Sequence, residues 1–304
     1  MLSIRRIIVC VELSRLRVAA DNSSVSGLGK AFANSARVAG INKLPMAVAG
    51  ILPSVDQSSL EPPDLSASPD LTLPLSTICF RSLIEREAAA VGVVVSDYEE
   101  FTTDEWCQLL ASEKCHSDVL LAGDLQNPLT SLEPPIETMW LNALKNFGGI
   151  LWLHNSAQDS AFTTDDAITD IIAPVTSNAT AMENIFVAVN AAKALQARLW
   201  IVPGRLRNTD PAAGFPDASA IHYHMVNCDY RTLPFGVQVA EVTDDVEEAI
   251  RTQLKICDVP LILQWRNPSK NSDVLSITPL LFNTPQTSVL LLPGNVSPGG
   301  PSQG

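Results

Sequence analysis

Ser26-Gly-Leu-Gly-Lys30 brings two glycines and a lysine into one short loop, the ingredients of a phosphate cradle. A Walker loop, however, needs glycine at position 24 and Ser or Thr at 31, where this chain has Ser24 and Ala31, so that chemistry is not expected. His222-Tyr-His224 would put two imidazoles on one face of a strand, with Cys228 and Asp229 nearby as further metal ligands. The segment reads more simply as an irregular replacement for a helix, and no metal is expected. Cys115-His116 resembles an activated thiol in composition, but neighbours on a helix point in different directions. His154 reads as a strand end. Arg266 and Lys270 could meet an anion, although two basic residues in an exposed loop are ordinarily just solvated. No pair of carboxylates, Gly-x-Ser-x-Gly elbow or His-Glu-x-x-His helix is present, so no catalytic role is expected.

Composition narrows the classes further. A chain of 304 residues exceeds the usual size of one domain, so two are expected. Hydrophobic residues make up 46% and the mean hydropathy is +0.16, enough to fill buried cores. A formal charge of −13 and a pI near 4.7 repel phosphate backbones and anionic lipid, which argues against nucleic-acid and membrane-surface partners. The apolar run after Arg5-Arg6 breaks at Glu12 and reads as a first strand. No apolar stretch approaches the roughly 18 to 20 residues that cross a bilayer, and a cytoplasmic location is expected. Six cysteines without a C-x-x-C pair suggest neither a zinc module nor a disulfide framework.

The elements that must position any site are clearest between residues 169 and 203. Thr169-Asp-Ile-Ile-Ala-Pro-Val-Thr176 and Leu199-Trp-Ile-Val202 suit strands buried on both faces of a parallel sheet. Between them Ala181, Ile185, Ala188, Ala192 and Leu195 form one helical stripe, and Thr180 with Glu183 reads as its capping box. The first half offers the same order of parts: a strand over Arg6 to Ser14, a helix over 27–40, a strand over Met46 to Leu52, a helix over 75–90 and a third strand over Val91 to Val95. Thr102 with Glu105 caps a helix before Asp118-Val-Leu-Leu-Ala122, as Asp244 with Glu247 caps one before Val259-Pro-Leu-Ile-Leu263. Last strands follow at Gly149 to Leu153 and Ser288 to Leu292. The proline-rich stretch 53–74 reads as an insertion, 155–168 as a linker and 294–304 as a disordered tail, leaving 1–154 and 169–293 as two copies of one fold.

Ile171-Ile-Ala-Pro-Val-Thr-Ser177, the helix ending Ala191-Ala-Lys-Ala-Leu-Gln-Ala-Arg-Leu199 and the immediate second strand resemble the opening of a universal stress protein domain. The resemblance implies an α/β fold of two tandem doubly wound, mostly parallel five-stranded sheets with strand order 3-2-1-4-5. Each would carry a crevice between its strands one and four, often a nucleotide site. It also implies pairing of the two domains through their last strands as an internal pseudo-dimer, which hides two apolar edges, with a further homodimer as an added level.

Nucleotide-binding members of that family carry an acid at the end of strand one and Gly-x-x-Gly, about nine residues, then Gly-Ser or Gly-Thr after strand four. Glu12 and Ser14 fall at the first position of the first half, and Gly123 and Asp124 at the second, but position 126 is Gln and no glycine follows up to Lys145. In the second half Thr176 stands for the acid, and Trp265 and Arg266 open a stretch without glycine up to Phe282. Glycines matter there because the backbone must approach phosphate oxygens without a Cβ between. The expectation is therefore a non-catalytic stress-response or regulatory protein that binds a small molecule or a protein partner. No cofactor is expected; a divergent site for ATP or AMP in the first half is the alternative.

Overall fold

In the computed structural model, residues 4–13, 16–18, 25–26, 28–52, 77–112, 118–125, 147–155, 167–176, 178–205, 217–265 and 287–293 are described. The strands are β1 (Arg6–Glu12), β2 (Arg17–Val18), β3 (Val25–Ser26), β4 (Met46–Leu52), β5 (Val95–Thr102), β6 (Val119–Leu125), β7 (Ile150–Asn155), β8 (Asp170–Val175), β9 (Arg198–Pro203), β10 (Val237–Val239), β11 (Pro260–Trp265) and β12 (Ser288–Leu292). The short β2 and β3 pair only with each other. The other ten form one sheet in the order β10-β9-β8-β11-β12-β7-β6-β1-β4-β5.

Within each half the order is the expected 3-2-1-4-5, and every neighbouring pair is parallel. What differs from two separate sheets is the middle. β12 and β7 pair antiparallel, with Ser288 opposite His154 and Leu291 opposite Leu151, so the halves share a continuous sheet.

Helices cover both faces, because the strands are apolar on both. Along β1, Ile7, Val9 and Val11 enter one core while Cys10 enters the other. The first face packs against α1 (Gly29–Asn42), α2 (Thr77–Ala90), α4 (Asn178–Leu195) and α5 (Ala218–Asn227), through Phe32, Ile84, Ile185 and Ile221. The second receives α3 (Thr103–Ser112) and α6 (Val246–Leu254), through Trp106, Leu110, Val246 and Ile250. Burying one such side chain stabilises the fold by roughly 1.5–3 kcal/mol. No helix among the described residues is long and apolar enough to cross a membrane. Cys10, Cys107, Cys228 and Cys257 are free thiols.

Several local expectations change. Val91-Gly92 forms a turn, Val94 beyond it is 83% exposed, and the third strand is the polar stretch Val95–Thr102 instead. This strand is the edge of the sheet, where one row of backbone groups meets solvent and polar side chains are tolerated. The helix expected to start at Thr180 starts at Asn178, so Thr180 lies in its first turn and is not its cap. Asp245, not Asp244, caps α6, its carboxylate accepting from the N–H groups of Glu247 and Glu248 at 3.1 and 3.2 Å. The Thr102–Glu105 box is present in both directions: Glu105 N–H donates to Thr102 Oγ1 at 3.2 Å and Thr102 N–H to Glu105 Oε2 at 2.8 Å. The Thr102 N–H, and then the Thr102 hydroxyl donating to the same Oε2 at 2.9 Å, hold the Glu105 carboxyl below its ordinary range. Residues 53–74 and 294–304, with 156–166 of the expected linker, lie outside the described residues.

Candidate functional site

In a doubly wound sheet the crevice lies beyond the carboxyl ends of the strands where the winding reverses, here between β1 and β6 and between β8 and β11. In the first half β1 delivers Glu12 to that edge and β6 delivers Gly123 and Asp124. Ser14 lies outside the described residues.

Asp124 has a task that the sequence does not announce. Its carboxylate accepts the backbone N–H of Ala31 in the first turn of α1, at 3.2 Å to Oδ1 and 3.3 Å to Oδ2. The residue at the cap position of α1 is Leu28, which offers no side-chain acceptor, so the cap comes from a strand end 93 residues away. Gly29 makes the approach possible. It sits at φ 78°, and a Cβ there would collide with Asp124 Oδ2. The first-turn N–H groups of a helix are where a phosphate is ordinarily held; here a carboxylate of the chain itself is bonded there.

Beside Asp124 the polar row continues across the sheet. Register pairs Asp124 with His154 on β7, and His154 with Ser288 on β12. Ser288 Oγ and His154 Nδ1 are 2.7 Å apart, and the ring of His154 packs on Trp152 with centroids 4.8 Å apart. His154 is fully buried, and its Nε2 has no hydrogen-bond partner. Burial, with the charge of buried Lys30 second, pushes its pKa down to about 3, so the imidazole is neutral. Aspartate, histidine and serine in a row are the residue types of an acyl-transfer site, but Ser288 is 1% exposed and His154 0%. No substrate reaches that hydroxyl, and the carboxylate of Asp124 is bonded to Ala31.

In the second half Thr176 follows β8, half-buried, and Trp265 ends β11 opposite Leu292. Arg266 lies outside the described residues, as does Lys270. Nothing described at this edge repeats the Asp124–Ala31 arrangement. The segment holding His222 and His224 is the helix α5, where residues two apart face different directions, which corrects the strand geometry a metal pair needed. No group of three metal-ligating side chains occurs among the described residues. Cys115 and His116 are outside them.

Sequence reasoning placed Glu12, Gly123 and Asp124 at one edge, and the structure brings them there. It missed the Asp124 cap and the burial of His154 against Ser288. The available signal for the first was a helix opening on Leu28-Gly29, with no Ser, Thr, Asn or Asp at its cap. For the second there was none, since the partner is 134 residues away.

No protein-family model matches the sequence, and no curated protein matches it. Two solved structures align with nearly the whole chain. A functionally unknown protein from Pseudomonas aeruginosa PAO1 is 17% identical, with 96% of this chain and 93% of that one covered and a TM-score of 0.56. A putative universal stress protein from Pseudomonas aeruginosa UCBPP-PA14 is 17% identical, with 96% and 94% covered and a TM-score of 0.52. The fold is therefore universal-stress-protein-like, as the residues around Ile171 suggested.

Proposed function

We propose that the chain is a non-catalytic member of the universal-stress-protein type, an internal pseudo-dimer of two related domains that acts in the cytoplasm by binding a small molecule or a protein in a stress or regulatory setting. One observation carries the loss of nucleotide chemistry. The carboxylate of Asp124 is bonded to the first turn of α1, so a phosphate approaching the first-half crevice meets a negative charge where it needs an N–H donor. The missing glycines after Gly123 agree with this, as does the glycine-free stretch from Gln264 to Phe282 in the second half. The antiparallel pairing of β7 with β12 supports the pseudo-dimer, since it buries Ile150 to Leu153 and Val289 to Leu292 together.

The test is a thermal-denaturation series of the full chain with ATP, AMP and inorganic phosphate at millimolar concentration, with the released small molecules of the heat-denatured protein read by ultraviolet absorbance. Unchanged midpoints and no adenine absorbance are expected. A rise of several degrees with ATP, abolished by Glu12→Ala, would overturn this reading in favour of a divergent nucleotide site at Glu12 and Gly123.

A further inference from the structure

The ten-stranded sheet ends on β5 at one side and β10 at the other, and the two edges are built differently. β5 carries Asp97, Glu99 and Glu100, charges that keep a sheet edge from pairing with another chain. β10 lies in the run Leu233 to Ala240, which has no charged residue in a chain whose formal charge is −13. Residues 217–265 are described without a break, and no described strand pairs with the outer side of β10.

The ladder to β9 fixes what that outer side presents. Leu199 N–H donates to the Gly236 carbonyl at 3.4 Å and Ala240 N–H to the Ile201 carbonyl at 2.9 Å, so the even positions of β10 face β9. The N–H and C=O groups of Val237 and Val239 therefore point outward, where no described strand meets them. Their side chains share the first face of the sheet, Val237 packing on the core there and Val239 47% exposed. α5, the crossover that joins β9 to β10 over this face, adds Tyr223 and Val226, 64% and 46% exposed and one turn apart.

We propose that β10 pairs antiparallel with β10 of a second copy of the chain, about a two-fold axis through Gln238. Val237-Gln238-Val239 reads the same in both directions, which is what a strand needs to match itself across such an axis. Val237 of each copy then stands opposite Val239 of the other and exchanges both backbone hydrogen bonds with it, so every outward group of the two valines is used. Gln238 meets its own counterpart on the axis, and two chains of like charge join where neither carries any. An unrelated extended segment would satisfy the same backbone groups, but the palindromic order and the apolar row select a copy of the chain. This seam lies between chains, whereas β7–β12 joins the halves of one, and it does not rest on the reading of the crevices.

The test is sedimentation equilibrium of the full chain up to roughly 1 mM, since a seam this short belongs to the weak, transient class. A species of twice 32.7 kDa is expected to grow with concentration, and to grow further with added salt, which screens the repulsion between two acidic chains. Val239→Lys, at an exposed position, should weaken the dimer at least about tenfold by setting a like charge on each copy at the seam. Under mild oxidation Gln238→Cys should give a disulfide-linked dimer, because the two Cα atoms flanking the axis stand about 4.5 Å apart. Val237→Cys, whose two copies lie diagonally across the axis and too far apart to bridge, and the parent chain should not. A monomer at every concentration overturns the proposal. So does a dimer that Val239→Lys leaves intact, or a Gln238→Cys chain that crosslinks no faster than Val237→Cys.

Discussion

Gly29 and Asp124 are 95 positions apart in sequence, yet their energetics should be coupled, and a double-mutant cycle measures how strongly. Gly29→Ala places a Cβ at φ 78° and drives it into Asp124 Oδ2. The left-handed backbone costs an alanine about 1–2 kcal/mol. Relief of the collision requires the carboxylate to withdraw from Ala31 N–H, which forfeits a helix cap of about 1 kcal/mol. The single variant should therefore lose about 2–3 kcal/mol. Asp124→Ala removes the same cap directly, at about 1 kcal/mol. In the double variant the cap is lost only once, so the total stays at about 2–3 kcal/mol, against about 3–4 kcal/mol if the two effects added. The coupling is thus about 1 kcal/mol in favour of the double variant. Urea unfolding at 25 °C followed by tryptophan fluorescence gives all four stabilities. Additivity within about 0.3 kcal/mol, the behaviour of independent sites, would refute the claim that one carboxylate links β6 to α1.

Two further outcomes follow from other buried groups. His154 has a folded-state pKa near 3 against an ordinary value of 6.5, because burial and then Lys30 disfavour its charged form. The unfolded chain therefore takes up the proton more readily. This contribution is complete above about pH 6.5 and falls as pH drops toward 3, by about 1.4 kcal/mol per pH unit. The stability gap between the parent protein and His154→Gln should accordingly shrink by about 2 kcal/mol from pH 7 to pH 5, and a constant gap in urea titrations at the two values would contradict the buried neutral imidazole. Asp170, 1% exposed, accepts from Thr169 Oγ1 at 2.8 Å and Trp200 Nε1 at 2.9 Å, and pairs with Arg198 Nε at 3.1 Å. Asp170→Ala should cost about 3 kcal/mol by stranding those donors, with Asp170→Asn costing less, and a loss below about 1 kcal/mol would show the network to be solvated.

How much of this was legible depends on whether the cause was local. Met46 to Leu52 and Ser288 to Leu292 read correctly to the residue because both faces of those strands are buried and every side chain is apolar or small. β5 was misplaced onto the more hydrophobic Val91 to Val95, since at a sheet edge hydrophobicity no longer marks the strand; Ser96 donates to the Met46 carbonyl at 3.0 Å, Asp97 pairs with Arg6 and Glu99 is exposed. β10, with three residues, is too short to leave a pattern. The site divides the same way. Position at the ends of β1 and β6 follows from strand order, so Glu12, Gly123 and Asp124 could be gathered from sequence. Whether Asp124 faces solvent or a helix depends on the Gly29 backbone, and the state of His154 depends on a strand from the other half of the chain.

That last dependence makes the two crevices chemically unequal even though the strand order around them is the same. Because β7 and β12 run antiparallel, the carboxyl edge of the first half lies beside the start of β12, and the carboxyl edge of the second half beside the start of β7. The neighbour that arrives at the first edge is Ser288, which meets His154 and extends the polar row from Asp124. By the same antiparallel register the neighbour near the second edge is the Ile150-Leu151 start of β7, opposite the apolar end of β12, and Trp265 on β11 faces Leu292 along the sheet. Among the described residues the Asp–His–Ser row occurs only at the first edge, where Asp124 already uses the helix terminus.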